Sequence, residues 1–101
     1  MNHQLSEFQG LAGLDVLRDG PFALTGKLST LLDGLCVPLR SAKYLDEVNA
    51  NPRVSAVLTT REIADGLDAR FAVAVTDKPD MAHAELHARL AEKREAELRA
   101  R

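Results

Sequence analysis

His83 and His87 stand four residues apart, so on a helix both imidazoles share one face at a spacing that suits a two-histidine zinc pair. Glu85 between them falls on a different face and no third ligand is near, so the pair reads as surface decoration and no metal is expected. Cys36 lies in an apolar run without a preceding helix start or a neighbouring histidine, so nothing lowers its thiol pKa and it reads as a small core residue. Ser29, Thr30 and Ser41 lack the small-residue elbow of a serine nucleophile. Gly10, Gly13 and Gly20 lack the strand-loop-helix setting and Lys-Ser/Thr ending of a phosphate loop, which argues against nucleotide hydrolysis. The carboxylates are scattered over polar faces. No catalytic residue and no cofactor is therefore expected. One cluster stands apart, Arg40-Ser41-Ala42-Lys43-Tyr44, read as the end of a strand and the start of a helix. Ligands of open α/β sheets bind beyond the carboxyl ends of strands, and helix N-termini attract phosphates. Arg40 and Lys43 would add charge there and Tyr44 a stacking face. A plainer reading stays open, in which Tyr44 packs on the core edge and both bases are solvated.

The elements that must position this cluster follow from the apolar rhythm. Gly13 to Arg18 and Phe22 to Leu28 alternate with period two, and Asp19-Gly20-Pro21 between them has turn chemistry, which predicts a β-hairpin. Leu5, Phe8 and Leu11 have a short helical spacing that would cover one face of it. From Gly34 onward, strand and helix alternate. Leu35 to Leu39 is a strand; Ser41 caps a helix carrying Tyr44, Leu45 and Val48, which Asn51-Pro52 stops. Val54 to Leu58 is a second strand, and Thr59 or Thr60 caps a short helix through Ile63, Ala64 and Leu67, with Gly66 available for its tight end. Phe71 to Val75 is nearly continuous apolar, as in a strand covered on both faces. Asp77 then caps a last helix with Pro79 in its first turn. The fold expected is α/β: a small mostly parallel sheet with alternating helices and right-handed crossovers, preceded by a β-hairpin and ending in a long charged helix.

That helix divides the chain. Met81, Ala82, Leu86 and Leu90 keep an apolar stripe, whereas residues 92–101 carry only Leu98 as a large apolar side chain. Glu95 with Arg99 and Glu97 with Arg101 are acid-before-base pairs that support an exposed helix. If helical to the end, the segment is roughly 34 Å long, more than a small domain needs to cover itself. Residues 1–90 are thus read as the α/β domain and 91–101 as a charged tail or the start of a linker.

Composition bounds the function classes. The chain has 101 residues, 46% hydrophobic and 28% charged, with a formal net charge of −2 and four aromatic residues. A near-neutral chain so poor in aromatics offers neither the basic stripe nor the stacking platform of a nucleic-acid groove, so no nucleic acid is expected as a partner. The longest apolar run, Phe71 to Val75, is far short of the ~20 residues of a membrane helix, and no basic-then-apolar leader opens the chain. A single cysteine cannot close an internal disulfide, which fits a reducing, cytoplasmic setting.

Four phrases, in order, carry a family resemblance: Asp19-Gly-Pro-Phe-Ala-Leu-Thr-Gly26; Gly34 to Tyr44 ending in Ala-Lys-Tyr; Pro52-Arg-Val-Ser-Ala-Val-Leu58; and Val73-Ala-Val-Thr-Asp77-Lys-Pro79. From Gly13 to about Leu90 the chain resembles the N-terminal uridine-binding domain of the UDP-3-O-acylglucosamine N-acyltransferases of lipid A synthesis and related sugar-nucleotide acyltransferases. The N-terminal domains of the Mur ligases share a similar plan. The resemblance implies that the uracil of a UDP-sugar is held between aromatic residues with help from an asparagine. Aligned without gaps from Gly34, the family's tyrosine falls on Tyr44, its phenylalanine on Pro38 and its asparagine on Ser41, so one of three is retained. The family's chemistry resides in a C-terminal β-helix of hexapeptide repeats, which this sequence lacks. The reading is a noncatalytic UDP-sugar-binding domain using Tyr44, Ser41, Pro38, Lys43 and Arg40. The alternative is a protein-interaction or assembly domain that uses its last helix, with nucleotide binding lost. Beside a UDP-sugar, the partners expected are a second copy of the chain or a separate catalytic domain.

Overall fold

In the computed structural model, which describes residues 3–99, the centre is built from the most β-branched and apolar stretches of the chain. Leu35–Leu39 (β5), Val54–Thr59 (β6) and Ala72–Val75 (β7) lie side by side in parallel, as their nearly unbroken apolar runs require of strands covered on both faces. The short strand Leu24–Thr25 (β4) adds in parallel to β5 at one edge, and Asp15–Arg18 (β2) adds antiparallel to β7 at the other. The five-stranded order is β2-β7-β6-β5-β4. A second, two-stranded sheet pairs His3–Gln4 (β1) with Pro21–Phe22 (β3). The mixed α/β class is as the sequence predicts.

Alternation along the strands sorts the core into two layers. Leu35, Val37 and Leu39 of β5, Val57 of β6 and Val73 and Val75 of β7 face Val48 of helix α1 (Leu45–Ala50) and Ile63 of helix α2 (Arg61–Ala64). Cys36, Ala56, Leu58, Ala72 and Ala74 face the other way. The alanines leave room on that side, and it is filled by Leu5, Phe8, Leu14 and Phe22 from the N-terminal segment and by Ala82 and Leu86 of helix α3 (Pro79–Arg99). Phe8 and Phe22 meet with ring centroids 5.9 Å apart, the tilted arrangement that aromatic quadrupoles favour.

The expected hairpin does not form. Its two halves are strands, but they lie at opposite edges of the sheet, because the Asp19-Gly20-Pro21 segment carries the chain across the α3 face instead of folding it back. Crossing buries Phe22 to 1% exposure, whereas a hairpin would leave that ring at an edge. Gly20 permits the crossing: a Cβ there would lie 3.1 Å from the Ala72 Cβ. Asp19 anchors it, its Oδ1 accepting the N–H groups of Ser6 and Gly20 at 2.9 and 2.8 Å.

Other departures are local. The segment expected to be helical from Leu5 to Leu11 forms two separate 3₁₀ turns, Leu5–Phe8 and Leu11–Gly13, divided by Gly10 at φ 86°. Thr60 holds the cap position of α2 without a side-chain bond, while Thr59 stays in β6, fully buried, its hydroxyl donating to the Leu39 carbonyl at 2.5 Å. Ahead of α3 it is Thr76 rather than Asp77 whose oxygen accepts a turn N–H, that of Lys78 at 3.3 Å. Along α3 the stripe ends as expected, with Leu86 buried, Leu90 half-buried and Leu98 61% exposed, but Met81, expected within it, is itself 58% exposed. Among the described side chains, Glu95 and Arg99 make no ion pair, and the pair found within that helix is Arg89 with Glu92 at 3.9 Å. The pair Glu97 with Arg101 lies outside the described residues. Among the described residues, no helix is long and apolar enough to cross a membrane.

Candidate functional site

β5 releases the chain at Arg40, and a short turn follows because Ser41, in extended conformation, accepts the Lys43 N–H on its own Oγ at 3.3 Å. Ala42–Tyr44 form one 3₁₀ turn that runs directly into α1. Tyr44, 45% exposed as a residue, is thus held at the carboxyl end of a parallel strand, and the Lys43 Nζ lies 5.5 Å from its ring centroid. A cation at that distance is attracted to the ring's negative face.

The remaining three predicted residues are occupied differently. Arg40 reaches across to α3 and pairs with Asp80 at 2.9 Å, both side chains being largely exposed (76% and 54%). Such a pair contributes about 0–1 kcal/mol, so a strong anion would displace it at little cost. Ser41 spends its oxygen on the turn. Pro38 sits inside β5, half-buried, and strand alternation puts it on the side of Cys36, which α3 covers, whereas Tyr44 opens the helix on the opposite side. Pro38 and Tyr44 therefore do not form the two walls of one slot. Proline is accepted here because Cys36, two residues earlier, directs its carbonyl to the β4 side, where it accepts the Gly26 N–H at 3.1 Å, and β4 has ended before Pro38 is reached. Of the five residues, Tyr44 and Lys43 stand exposed and close together at this end of the sheet, and Arg40 is held by Asp80. The strand order also matters: β4 to β7 follow one another without reversal, so no crevice opens between crossovers on opposite faces within that run.

The two histidines have structural work. His83 Nε2 lies 3.0 Å from the Cys36 carbonyl oxygen, and burial holds its imidazole pKa below the ordinary value, against the opposing pull of that hydrogen bond. His87 Nδ1 lies 2.6 Å from Thr25 Oγ1. Together they fasten α3 to β5 and β4. Their spacing on one helix face is visible in the sequence, but their partners are main-chain and hydroxyl oxygens for which no local signal exists. Cys36 is fully buried, and desolvation pushes its thiol pKa far upward, which removes it as a nucleophile. Among the described residues no three His, Cys, Asp or Glu side chains gather in a metal-binding group.

A groove that sequence reasoning missed opens elsewhere, between β4 and the distal half of α3. It has a volume of about 570 Å³ and is lined by Ala23, Leu90 and Leu98 together with Thr25, His87, Lys93 and Arg94. Its only sequence trace is Leu98, the large apolar residue left on the charged end of α3. In comparisons with known proteins, no family model matches the chain and no curated protein matches it.

Proposed function

We propose that this chain is a noncatalytic binding domain for a nucleotide sugar of the UDP type, acting in the cytoplasm beside a separate catalytic domain of the sugar-nucleotide acyltransferase kind found in lipid A synthesis. The observation that carries the reading is Tyr44, an exposed ring at the carboxyl end of β5 with the Lys43 ammonium on it. A uracil stacks on the free area of the ring, and Lys43, joined by Arg40 once it leaves Asp80, faces the diphosphate. Stacking on one aromatic wall contributes about 1–3 kcal/mol, and with a single wall the affinity belongs in the millimolar range, near −4 kcal/mol. Cytoplasmic placement is supported by an unpaired cysteine kept inside the core.

Titration with UDP-N-acetylglucosamine, followed by NMR at the Tyr44 ring and the Lys43 amide, tests the reading. Saturable shifts at millimolar ligand, lost in Tyr44→Ala and weakened in Lys43→Gln, are expected. No shift at millimolar ligand overturns it. Parallel titrations with uridine and with inorganic diphosphate separate the contribution of the base from that of the charge.

A further inference from the structure

The loop between β4 and β5 holds two adjacent leucines out in solvent. Leu31 is 78% and Leu32 59% exposed, yet the loop is not slack. The Lys27 N–H donates to Thr30 Oγ1 at 3.1 Å and the Thr30 N–H to the Lys27 carbonyl at 3.0 Å. From the far side Asn51 Nδ2 donates to the Leu28 carbonyl at 3.4 Å, and one Arg53 nitrogen donates at 3.1 Å to both the Leu31 carbonyl and Asp33 Oδ1. Leu28 packs against the core. The fastening thus fixes the main chain on either side of Leu31 and Leu32 while their side chains stay outside, a small apolar knob flanked by the exposed charges of Lys27 and Asp33.

The groove beside β4 is the counterpart of this knob. Its volume of about 570 Å³ lies within the ~300–1,000 Å³ range that encloses a compact apolar group. Ala23, Leu90 and Leu98 supply apolar surface, and Lys93, Arg94 and Glu95 supply charges of both signs. Lys27 suits Glu95, and Asp33, although paired with Arg53 at 3.1 Å, is 84% exposed and within reach of further bases. The knob also stands close to the lip of the groove: Gly34, just after Asp33, gives its carbonyl to the Ala23 N–H at 2.8 Å, and Ala23 lines the groove. With knob and receptacle adjacent, a two-fold axis beside β4 would bring each knob to the other copy's groove at once, the self-complementary condition of an isologous pair.

We propose that the groove between β4 and α3 receives the Leu31-Leu32 knob of a second copy of this chain, and that the domain self-associates through this reciprocal contact. The proposal stands on surfaces separate from Tyr44 and is independent of nucleotide binding. Sedimentation velocity from micromolar to millimolar protein is expected to show a concentration-dependent dimer. The knob variant Leu31→Ser/Leu32→Ser and the groove variant Leu98→Glu each change only exposed side chains, and each is expected to raise the dissociation constant at least tenfold with an unchanged circular dichroism spectrum. Mixing the two variants restores one intact junction per pair, so the mixture dimerises more tightly than either variant alone. A wild-type chain that stays monomeric at millimolar concentration overturns the proposal, as does a dimer that either variant leaves intact or a mixture no tighter than its parts.

Discussion

His83 Nε2 lies 3.0 Å from the main-chain oxygen of Cys36, so a helix that follows the last strand is bonded directly to the middle of a strand nearly fifty residues earlier. The imidazole is half-buried there, and desolvation, the largest influence on it, lowers its pKa; the Cys36 bond pulls upward, His87 adds a further lowering and Asp80 a further raising. The unfolded chain binds a proton near pH 6.5, the ordinary histidine value, whereas the folded chain resists it. The native contribution is therefore fully present above that pH and is lost as pH falls through the lowered folded-state pKa. Urea midpoints at pH 7.5 and pH 5 are expected to fall for the wild type, and to fall less for His83→Gln, whose amide can still donate to Cys36. Equal falls in both proteins would show that His83 does not carry the effect.

Gly34 occupies a position that no other residue fits. Its φ of +80° is left-handed, and a Cβ would lie 2.8 Å from the Ala23 Cβ and 3.2 Å from the Ala23 nitrogen. Gly10 has a comparable φ of +86° with nothing within 4 Å of that Cβ. Left-handed backbone costs a side-chain-bearing residue about 1–2 kcal/mol. Gly10→Ala should lose roughly that much, and Gly34→Ala about 3 kcal/mol or more once the overlap with Ala23 is added. Denaturant unfolding of the two variants compares them, and equal losses would mean the loop yields at Ala23.

Arg70 ties together three chain segments. One nitrogen donates to the Val54 carbonyl at 2.9 Å and the other to those of Asn49 and Asn51 at 3.1 and 2.8 Å, while the guanidinium carbon lies 4.0 Å from the Phe71 ring centroid. It thereby satisfies the carbonyls left open where α1 ends and β6 begins. A lysine cannot reproduce the planar fork. Because the side chain is largely exposed, Arg70→Lys should cost about 1–2 kcal/mol rather than the full value of three charged hydrogen bonds. Unfolding by urea would detect this, and a loss under about 0.5 kcal/mol, ordinary for a surface substitution, would rule the brace out.

How much of this is written in local sequence differs by element. β5, β6 and β7 are legible because a strand covered on both faces must be apolar at every position, and Leu35–Leu39, Val54–Leu58 and Phe71–Val75 satisfy that within a few residues. The first third misleads because Asp19-Gly20-Pro21 has turn chemistry whether the chain folds back or crosses a face; what decides is the close approach of Gly20 to Ala72, some fifty residues distant, and the burial of Phe22 in the α3-side core. Arg70 and Arg18, the latter donating to the Phe71 and Asp68 carbonyls at 2.6 and 2.7 Å, look like ordinary surface charges because their partners are main-chain oxygens. At the candidate site, the strand-to-helix junction at Arg40–Tyr44 was legible from Ser41 and the apolar run before it. The Asp80 partner of Arg40 and the separation of Pro38 from Tyr44 depend on the side of the sheet that α3 takes.

The end of α3 separates folding from association. Ala82 and Leu86 are fully buried and Leu90 is half-buried, but beyond Ala91 the described side chains are exposed, and the main tie to the body is Lys93, whose Nζ lies 5.6 Å from the Phe8 ring centroid. An exposed cation–π contact is worth about 0.5–1 kcal/mol. Deleting residues 92–101 should therefore lower folding stability by no more than about 1 kcal/mol, against about 2–5 kcal/mol for Leu86→Ala, which empties a site inside the core. Thermal and urea unfolding of the two variants give the comparison. The same deletion removes Lys93, Arg94 and Leu98 from the groove, so self-association should disappear while the monomer stays folded. A truncated chain that loses stability on the scale of Leu86→Ala would instead make this segment part of the fold, with its exposed face an incidental consequence of its length.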